Sequence, residues 1–196
     1  MLITIEGVDG SGKTSVVNHL KTVLKDYDIL FTREPYDKDM RDAIERNEGN
    51  AKRQLLLFLL DHYNHQETVI EPALKEQRVI ISDRYIDSCI AYQSVALNTS
   101  IENIEKYHKN SIYPNLTILL YGDVPTFVWR TSNRKWTVNM FADILTQRAI
   151  QAQYINLAKK YKNRFIIINA ELPFDIVCRN VETVINNCLE MRGIEQ

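Results

Sequence analysis

The chain has 196 residues, of which 45% are hydrophobic and 25% charged, and its formal net charge is −1. This length and composition indicate one globular domain with a sizeable core, and the near-zero charge argues against a long nucleic acid as partner. No stretch is apolar for long enough to cross a membrane, and the 3 cysteines form no C-x-x-C pair, so we expect reduced thiols in a cytoplasmic protein.

The first predicted strand, 2–6, leads into a glycine-rich loop and then into a predicted helix, 13–25. The loop, residues 7–14, reads GVDGSGKT and matches G-x-x-x-x-G-K-[ST], a phosphate-binding loop (P-loop). A tight turn alone would explain the glycines, but not Lys13 and Thr14 together at the start of a helix. We therefore predict that Lys13 contacts the outer phosphates of a nucleotide and that Thr14 offers its hydroxyl to Mg²⁺. The predicted nucleotide-binding residues are Gly7, Val8, Asp9, Gly10, Ser11, Gly12, Lys13 and Thr14.

Strand-like and helical patterns alternate along the rest of the chain. The further predicted strands are 28–32, 78–82, 116–121 and 164–168. The further predicted helices are 38–46, 51–76, 85–97, 100–110, 124–132, 140–162 and 173–190. This alternation predicts a single domain over residues 1–196 with the three-layer, doubly wound α/β fold of P-loop NTPases, in which helices cover both faces of a five-stranded parallel sheet. Ligands of such a fold bind at the carboxyl ends of the strands.

Charged residues follow the second predicted strand at that edge. Arg33 and Glu34 precede Pro35, which keeps Glu34 extended and would aim both side chains over the end of the sheet. A solvated ion pair on an exposed loop is the other interpretation.

An acid and an arginine follow the third predicted strand. Asp83 comes directly after the apolar run 78–82, which is the Walker B arrangement, and it is predicted to help hold Mg²⁺. Arg84 is predicted to point at phosphate. A helix N-terminal acid, favoured by the helix dipole, would be the purely structural explanation of Asp83.

The helix predicted over 51–76 is apolar nearly all round from residue 55 to residue 60. Phe58 fits either a core residue or a platform for a nucleobase, and His62 lies one turn later on the same face. The segment 54–60 and the run from Ser88 to Val95 suggest the faces of a homodimer, although both could be buried within one subunit.

A polar, basic segment lies between two predicted helices at 131–139. With its flanks, at about 130–141, it could form a lid that brings Arg130 or Arg134, with Lys135 beside them, to the phosphates. Phosphoryl transfer needs cations where charge spreads over the moving group. Charge on a solvated face is the alternative.

The blocks GVDGSGKT, TREP, LLLFLLD, DRY with SCIAYQ, and YPNLTILL follow one another as they do in thymidylate kinases, and from residue 3 to about residue 130 the chain resembles that family. The resemblance implies transfer of the γ-phosphoryl group of ATP to dTMP, giving dTDP and ADP in dTTP biosynthesis. It assigns catalytic roles to Lys13, Arg84, Arg130, Arg134 and Asp9.

The resemblance also implies how dTMP is held. Asp9 reaches the acceptor sugar and phosphate region, Arg33 and Glu34 lie in the block that holds the dTMP phosphate, and Arg84 bridges donor and acceptor phosphates. Phe58 stacks on thymine, Tyr92 lies beside the deoxyribose, and Gln93 shapes the same wall.

Three departures from the family pattern affect base recognition and the lid. His62 stands where the family has an arginine, the base-facing position after Ser88 is Cys89, and no Asp-Arg-x-Glu follows the predicted lid. We therefore expect dTMP to be the best acceptor, with dUMP rejected through the thymine methyl group and shape. A deoxynucleoside kinase, or another nucleoside monophosphate kinase with relaxed base specificity, is the alternative. Arg33 argues against a nucleoside acceptor, which has no phosphate to anchor.

Overall fold

The computed structural model describes residues 1–132, 140–191 and 193 of the chain. The strands described there form one parallel sheet in the order β2-β3-β1-β4-β5. They are β1 (Leu2–Glu6), β2 (Ile29–Arg33), β3 (Val79–Asp83), β4 (Leu116–Tyr121) and β5 (Phe165–Asn169). All five predicted strands are confirmed, with shifts of at most one residue at each end.

Helices connect the strands, as the doubly wound prediction requires. They are α1 (Lys13–Val23), α2 (Lys38–Arg46), α3 (Ala51–His65), α4 (Glu71–Lys75), α5 (Ile86–Ala96), α6 (Ile101–Glu105), α7 (Val124–Thr131), α8 (Met140–Lys160) and α9 (Phe174–Glu190). The predicted helix 51–76 is not one α-helix: a π-helical turn, Gln66–Ile70, separates α3 from α4. A short 3₁₀ turn, Lys106–His108, likewise ends the predicted helix 100–110 early. No helix in the described ranges is both long and apolar enough to cross a membrane.

The central strands carry the core. Every residue of β1 and β3 is buried, and so is β4 up to Leu120, because helices cover both faces of the sheet there. The prediction of helices on both faces of the sheet is confirmed, and at the edge strand β5 the side chains of Ile166 and Ile167 remain 39% and 49% exposed.

This topology decides where chemistry can occur. In the sheet β1 lies between β3 and β4, and the loop that follows β1 therefore emerges between two neighbouring strand ends. Ile5 is in register with Asp83 and Arg33 is also in register with Asp83, so the ends of β1, β2 and β3 lie side by side. The site residues predicted to follow these strands therefore lie together at the carboxyl edge of the sheet.

Candidate active site

The loop between β1 and α1 has the backbone conformation of a phosphate cradle. Gly10 has a φ of 78°, and a Cβ built there would lie 2.1 Å from the carbonyl oxygen of Phe127, so only glycine fits. Gly12 has a φ of 99° and caps α1, which begins at Lys13. The free N–H groups of the first turn of α1 therefore point out of this loop, where they favour an anion.

Lys13 is buried beneath the loop. Its Nζ donates a hydrogen bond of 2.8 Å to the carbonyl oxygen of Val8. Burial, followed by the positive charge of Arg84, lowers the pKa of Lys13 to about 7, against the opposing effect of Asp9. An anion bound in the loop would reverse this effect, because a nearby negative charge favours the protonated amine.

Thr14 and Asp83 meet at the predicted metal position. The hydroxyl of Thr14 donates a hydrogen bond of 2.6 Å to Oδ2 of Asp83, which is buried at the end of β3. A hydroxyl and a carboxylate are hard oxygen ligands of the kind that Mg²⁺ prefers, and Mg²⁺ is usually held by one or two carboxylates together with substrate phosphates. Within the described ranges, no cluster of three or more His, Cys, Asp or Glu side chains is arranged to hold a metal ion.

The backbone of Arg84 has a left-handed conformation that residues other than glycine rarely adopt. Its φ is 70°, and this turn is held by hydrogen bonds from the Arg84 N–H to the Ile5 carbonyl, 3.1 Å, and from the Ser82 hydroxyl to the Arg84 carbonyl, 2.6 Å. Such a conformation costs on the order of 1–3 kcal/mol and persists where surrounding contacts enforce it, often at functional sites.

The Arg84 guanidinium is at the centre of a polar network. It donates to Oδ1 of Asp9, to the Ser88 hydroxyl at 3.2 Å and to the Tyr92 hydroxyl at 3.3 Å. It also lies over the Tyr92 ring, 5.1 Å from the ring centroid. The guanidinium is therefore oriented before any ligand binds.

Glu6, which sequence reasoning did not single out, supports this network from below. One carboxyl oxygen accepts from the Tyr85 N–H at 2.8 Å, and the other accepts from the hydroxyls of Ser88 at 2.6 Å and Tyr154 at 2.9 Å. Complete burial, with Asp87 as the next cause, raises the pKa of Glu6 to about 8. A glutamate at the end of a buried strand just before a P-loop is the signal that could have identified it.

Two cavities open at this edge of the sheet. The large cavity, about 1040 Å³, is lined by residues 9–14 of the P-loop and by Asp83, Arg33, Arg130, Asp143, Thr146 and Gln147. The small cavity, about 200 Å³, is lined by Glu34, Pro35, Phe58, Tyr85, Ser88, Cys89, Tyr92 and Gln93. Asp9 and Arg84 line both, so the two cavities meet at this ion pair.

The small cavity has the character of a nucleobase site. Phe58, half-buried on α3, and Tyr92, half-buried on α5, supply aromatic faces. The amide oxygen of Gln93 is buried in the wall without a hydrogen-bond partner. The Cys89 thiol is buried there as well, and burial raises its pKa, which keeps it protonated and unreactive.

His62 does not line the small cavity. Its ring Nδ1 lies 2.9 Å from Oε1 of Glu34 and its Nε2 lies 2.9 Å from the Ser111 hydroxyl, so both nitrogens already have partners. His65 Nδ1 reaches the same Glu34 oxygen at 3.0 Å. A base contact by His62 would therefore require one of its bonds to break.

Glu34 is ionised in this arrangement. Burial alone would raise the pKa of its carboxyl group, but the two histidines outweigh burial and lower it to about 2. An ionised carboxylate only accepts hydrogen bonds, so His62 and His65 both donate through Nδ1. Glu34 and His62 could be singled out from the sequence, but the hydrogen bonds between them could not.

The predicted basic residues are distributed over the large cavity. Arg33 ends β2 and is exposed at its rim. Arg130, on the last turn of α7, is also exposed there, with its guanidinium 5.3 Å from the centroid of the Phe127 ring. Arg134 and Lys135, with the rest of the predicted lid from residue 133 to residue 139, lie outside the described residues.

Known proteins match the chain over nearly its whole length. A family model described as thymidylate kinase matches residues 5–181. The chain is 40% identical over 189 residues to a probable thymidylate kinase of Methanoculleus marisnigri, which covers 91% of both chains. It is 33% identical over 198 aligned residues to a probable thymidylate kinase of Methanococcoides burtonii, which covers 96% of this chain and 98% of that one. The crystal structure of a thymidylate kinase from Ehrlichia chaffeensis matches with a TM-score of 0.78 and 25% identity, over 94% of this chain and 98% of the other.

Proposed function

The chain belongs to the thymidylate kinase family, and from that premise we propose which of its residues carry the reaction. The reaction transfers the γ-phosphoryl group of ATP to dTMP and yields ADP and dTDP. The observation that carries our assignment is that Asp9 and Arg84 line both cavities. A donor in the large cavity and an acceptor in the small one would meet at this pair.

The large cavity is assigned to ATP. The loop from Gly7 to Thr14 surrounds the phosphates with backbone N–H groups, and Lys13 adds a positive charge to the outer phosphates. Arg130, which also lines this cavity, would neutralise charge on the transferred group. The phosphates would lie at the N-terminus of α1, which begins at Lys13 within this loop.

Mg²⁺ fits beside these phosphates. Thr14 and Asp83 would hold it, Asp83 through water, and when bound the ion neutralises charge on the β- and γ-phosphates. This assignment depends on the chemistry of the two oxygen groups and on their 2.6 Å contact.

The small cavity is assigned to the dTMP nucleoside. Phe58 supplies a stacking face, Tyr92 the wall beside the deoxyribose, and Gln93 a hydrogen-bonding group for the base. Arg33 lines the large cavity and would bind the acceptor phosphate where that cavity meets the small one. Because Cys89 is a weak hydrogen-bond partner and His62 is engaged with Glu34, selection of thymine depends on shape, the methyl group and Gln93.

Catalysis in this site is mainly positioning and electrostatics. The two substrates carry like charges, and they must be brought into line for an acceptor phosphate oxygen to attack the γ-phosphorus while ADP leaves. Arg84 is fixed by Asp9, Ser88 and Tyr92 at the junction, where charge develops. A charged group that is oriented in advance needs no reorganisation during the reaction.

A homodimer is proposed from α3. Leu56 and Leu60 lie one turn apart on this helix and are 64% and 55% exposed, which leaves an apolar face uncovered. The run from Ser88 to Val95 is instead largely buried within the subunit, against α8. Light scattering of Leu56→Glu, with Val23→Glu as an exposed control on α1, tests this: only Leu56→Glu should yield a monomer. We also propose a cytoplasmic location, where Cys89 and Cys178, which form no disulfide in the structure, would stay reduced.

Product analysis tests the function directly. Purified protein with ATP, Mg²⁺ and dTMP should form dTDP and ADP in equal amounts, and Lys13→Ala should abolish this. Thymidine in place of dTMP should give no product, because Arg33 then has no phosphate to bind. Formation of dTMP from thymidine would support the deoxynucleoside kinase alternative. Equal kcat/KM values for dTMP, dUMP, dCMP and dGMP would show that the enzyme does not select thymine.

A further inference from the structure

A glutamine on α8 holds the acid of the P-loop through both ends of its side chain. The Asp9 N–H donates to Oε1 of Gln147 at 3.2 Å, and Nε2 of Gln147 donates to Oδ2 of Asp9 at 3.2 Å. These residues are 138 positions apart, so the contact exists only because α8 packs over the site. Two bonds that use the donor and the acceptor of one amide define the orientation of both side chains.

Asp9 in turn connects Gln147 to the junction of the cavities. Oδ2 of Asp9 accepts from Gln147, whereas Oδ1 accepts from Arg84, which also contacts the Tyr92 hydroxyl. Gln147 lines only the large cavity and Tyr92 only the small one. A continuous chain of hydrogen bonds thus runs from the proposed donor site to the proposed acceptor site.

Asp9 needs such a support. Its side chain is 50% exposed, whereas that of Arg84 is 18% exposed. Without Gln147, the Asp9 carboxylate could rotate toward solvent, and the Arg84 guanidinium would lose the partner that orients it.

We propose that Gln147 is a positioning residue, which orients Asp9 and through it Arg84 at the point where donor and acceptor meet. The proposal rests on the proposed function, in which Arg84 acts on the transferred phosphoryl group. Gln147 itself is not required to touch substrate. Its loss should therefore lower kcat more than it raises either KM.

Gln147→Met is the first test, because methionine is similar in size to glutamine and makes no comparable hydrogen bonds. Hydrogen bonds to a charged group are strong enough that kcat should fall about tenfold, with KM for ATP and for dTMP within about threefold of wild type. Gln151→Met is the matched control: Gln151 lies one turn further along α8 and donates to the carbonyl of Gly122 at 3.1 Å, away from Asp9. It should retain wild-type kcat.

Gln147→Glu adds a readout that a purely structural role would not change. At pH 8 the new carboxylate would repel Asp9, but at lower pH the two carboxylates can share a proton, and this restores a donor between them. The ratio of variant kcat to wild-type kcat should rise at least about threefold from pH 8 to pH 6. In an Asp9→Asn background, Gln147→Met should change kcat less than about twofold, since both act through one group.

The proposal is overturned if Gln147→Met keeps more than half of wild-type kcat, if Gln151→Met loses as much, or if the Gln147→Glu ratio is the same at both pH values. Circular dichroism of each variant identifies loss of fold. If Gln147→Met does not fold, the ratio of kcat values at pH 6 and pH 8 for a folded Gln147→Glu protein decides the proposal. These outcomes are separate from failure of the proposed function, in which the wild-type protein itself would form no dTDP.

Discussion

The hydroxyl of Thr14 lies 2.6 Å from Oδ2 of Asp83, and this contact joins the first turn of α1 to the end of β3. Asp83 is buried, yet its carboxylate remains directed at the loop. Because the Asp83 carboxylate lies next to the phosphate-binding loop, a cation bound with the phosphates could replace the Thr14 hydroxyl as its partner. The pair is therefore the place where a metal requirement of the enzyme should originate.

We predict that Asp83→Asn raises the Mg²⁺ concentration needed for half-maximal activity about tenfold and lowers kcat at least tenfold. The amide keeps the shape and the contact with Thr14 but loses the charge that attracts the ion. Steady-state rates over a Mg²⁺ titration measure this. Asp28→Asn is the control, because Asp28 pairs with Arg78 in an exposed ion pair far from the P-loop. An unchanged Mg²⁺ dependence in Asp83→Asn would contradict the assignment.

Arg84, at the junction of the cavities, and Arg33, at the rim of the large cavity, should differ in their kinetic effect. Arg84→Ala is predicted to lower kcat by about 10³-fold or more, the scale on which an arginine stabilises a phosphoryl transition state. Arg33→Ala is predicted to raise KM for dTMP about 100-fold while kcat stays within tenfold, because Arg33 binds the acceptor phosphate in both ground and transition states.

Arg78→Ala removes a half-buried arginine that directly precedes β3, at the end opposite Asp83, and should leave both constants unchanged. Initial-rate kinetics with each substrate varied separately distinguish these cases. If Arg33→Ala affected only kcat, or Arg84→Ala only KM, the two assignments would have to be exchanged.

The elements that are local in sequence could be predicted well. The strand before Gly7, the turn at Gly10 and the helix after Gly12 each follow from a few neighbouring residues, and the structure confirms the fold that they indicate. Asp83 and Arg84 could also be located, because a parallel sheet brings the ends of its strands to one edge.

Contacts between distant segments could not be predicted in this way. The spacing of Phe58 and His62 places them on one face of α3, but it does not show that Glu34 and Ser111 occupy both nitrogens of His62. Gln147 lies on a helix with no distinctive pattern, and only the packing of α8 against the P-loop brings it to Asp9. Side-chain partners that come from different elements depend on tertiary packing, which a single sequence does not encode in any readable motif.

Gln93 should determine how the base edge is recognised. Its amide oxygen is buried without a partner, and thymine carries an N3–H donor that could satisfy it, whereas cytosine has an acceptor at N3. Gln93→Leu is therefore predicted to lower kcat/KM for dTMP at least about tenfold and to change that for dCMP much less. The ratio of kcat/KM for dTMP to kcat/KM for dUMP should stay the same, because both bases carry an N3–H group. Competition assays with the three nucleotides measure these ratios, and a changed dTMP to dUMP ratio would contradict this role.

Nucleotide binding should take up a proton through Lys13. The pKa of Lys13 is about 7 in the free chain, so at pH 8 most molecules have a neutral amine there. Phosphates bound in the loop would raise this pKa and protonate it, so binding of Mg²⁺–ADP at pH 8 should take up a large fraction of one proton, and less at pH 6. Calorimetry in buffers of different ionisation enthalpy measures the uptake. In Lys13→Arg the guanidinium is charged throughout, so equal uptake in this variant would exclude Lys13 as the source.

Glu6 should make folding stability depend on pH in the opposite direction from a typical surface carboxylate. Its pKa is about 8 in the folded chain, against the ordinary value of 4.5, so between these values the folded state binds more protons than the unfolded state. Its stabilising contribution is complete below about pH 4.5 and is lost as pH rises through about 8. The slope attributable to one such group is at most about 1.4 kcal/mol per pH unit.

Glu6→Gln removes this titration, so the unfolding free energy of wild type minus that of the variant should decrease steadily from pH 5 to pH 8. Chemical denaturation at several pH values measures the difference, and taking it against wild type cancels the contributions of Lys13, Glu34 and His108, which titrate in both proteins. Glu67→Gln, an exposed glutamate in the π-helical turn, should give a difference that does not vary with pH. If the Glu6→Gln difference stayed constant within about 0.5 kcal/mol, the carboxyl group would be ionised throughout. The hydrogen bonds from Ser88, Tyr154 and the Tyr85 N–H would then outweigh its burial.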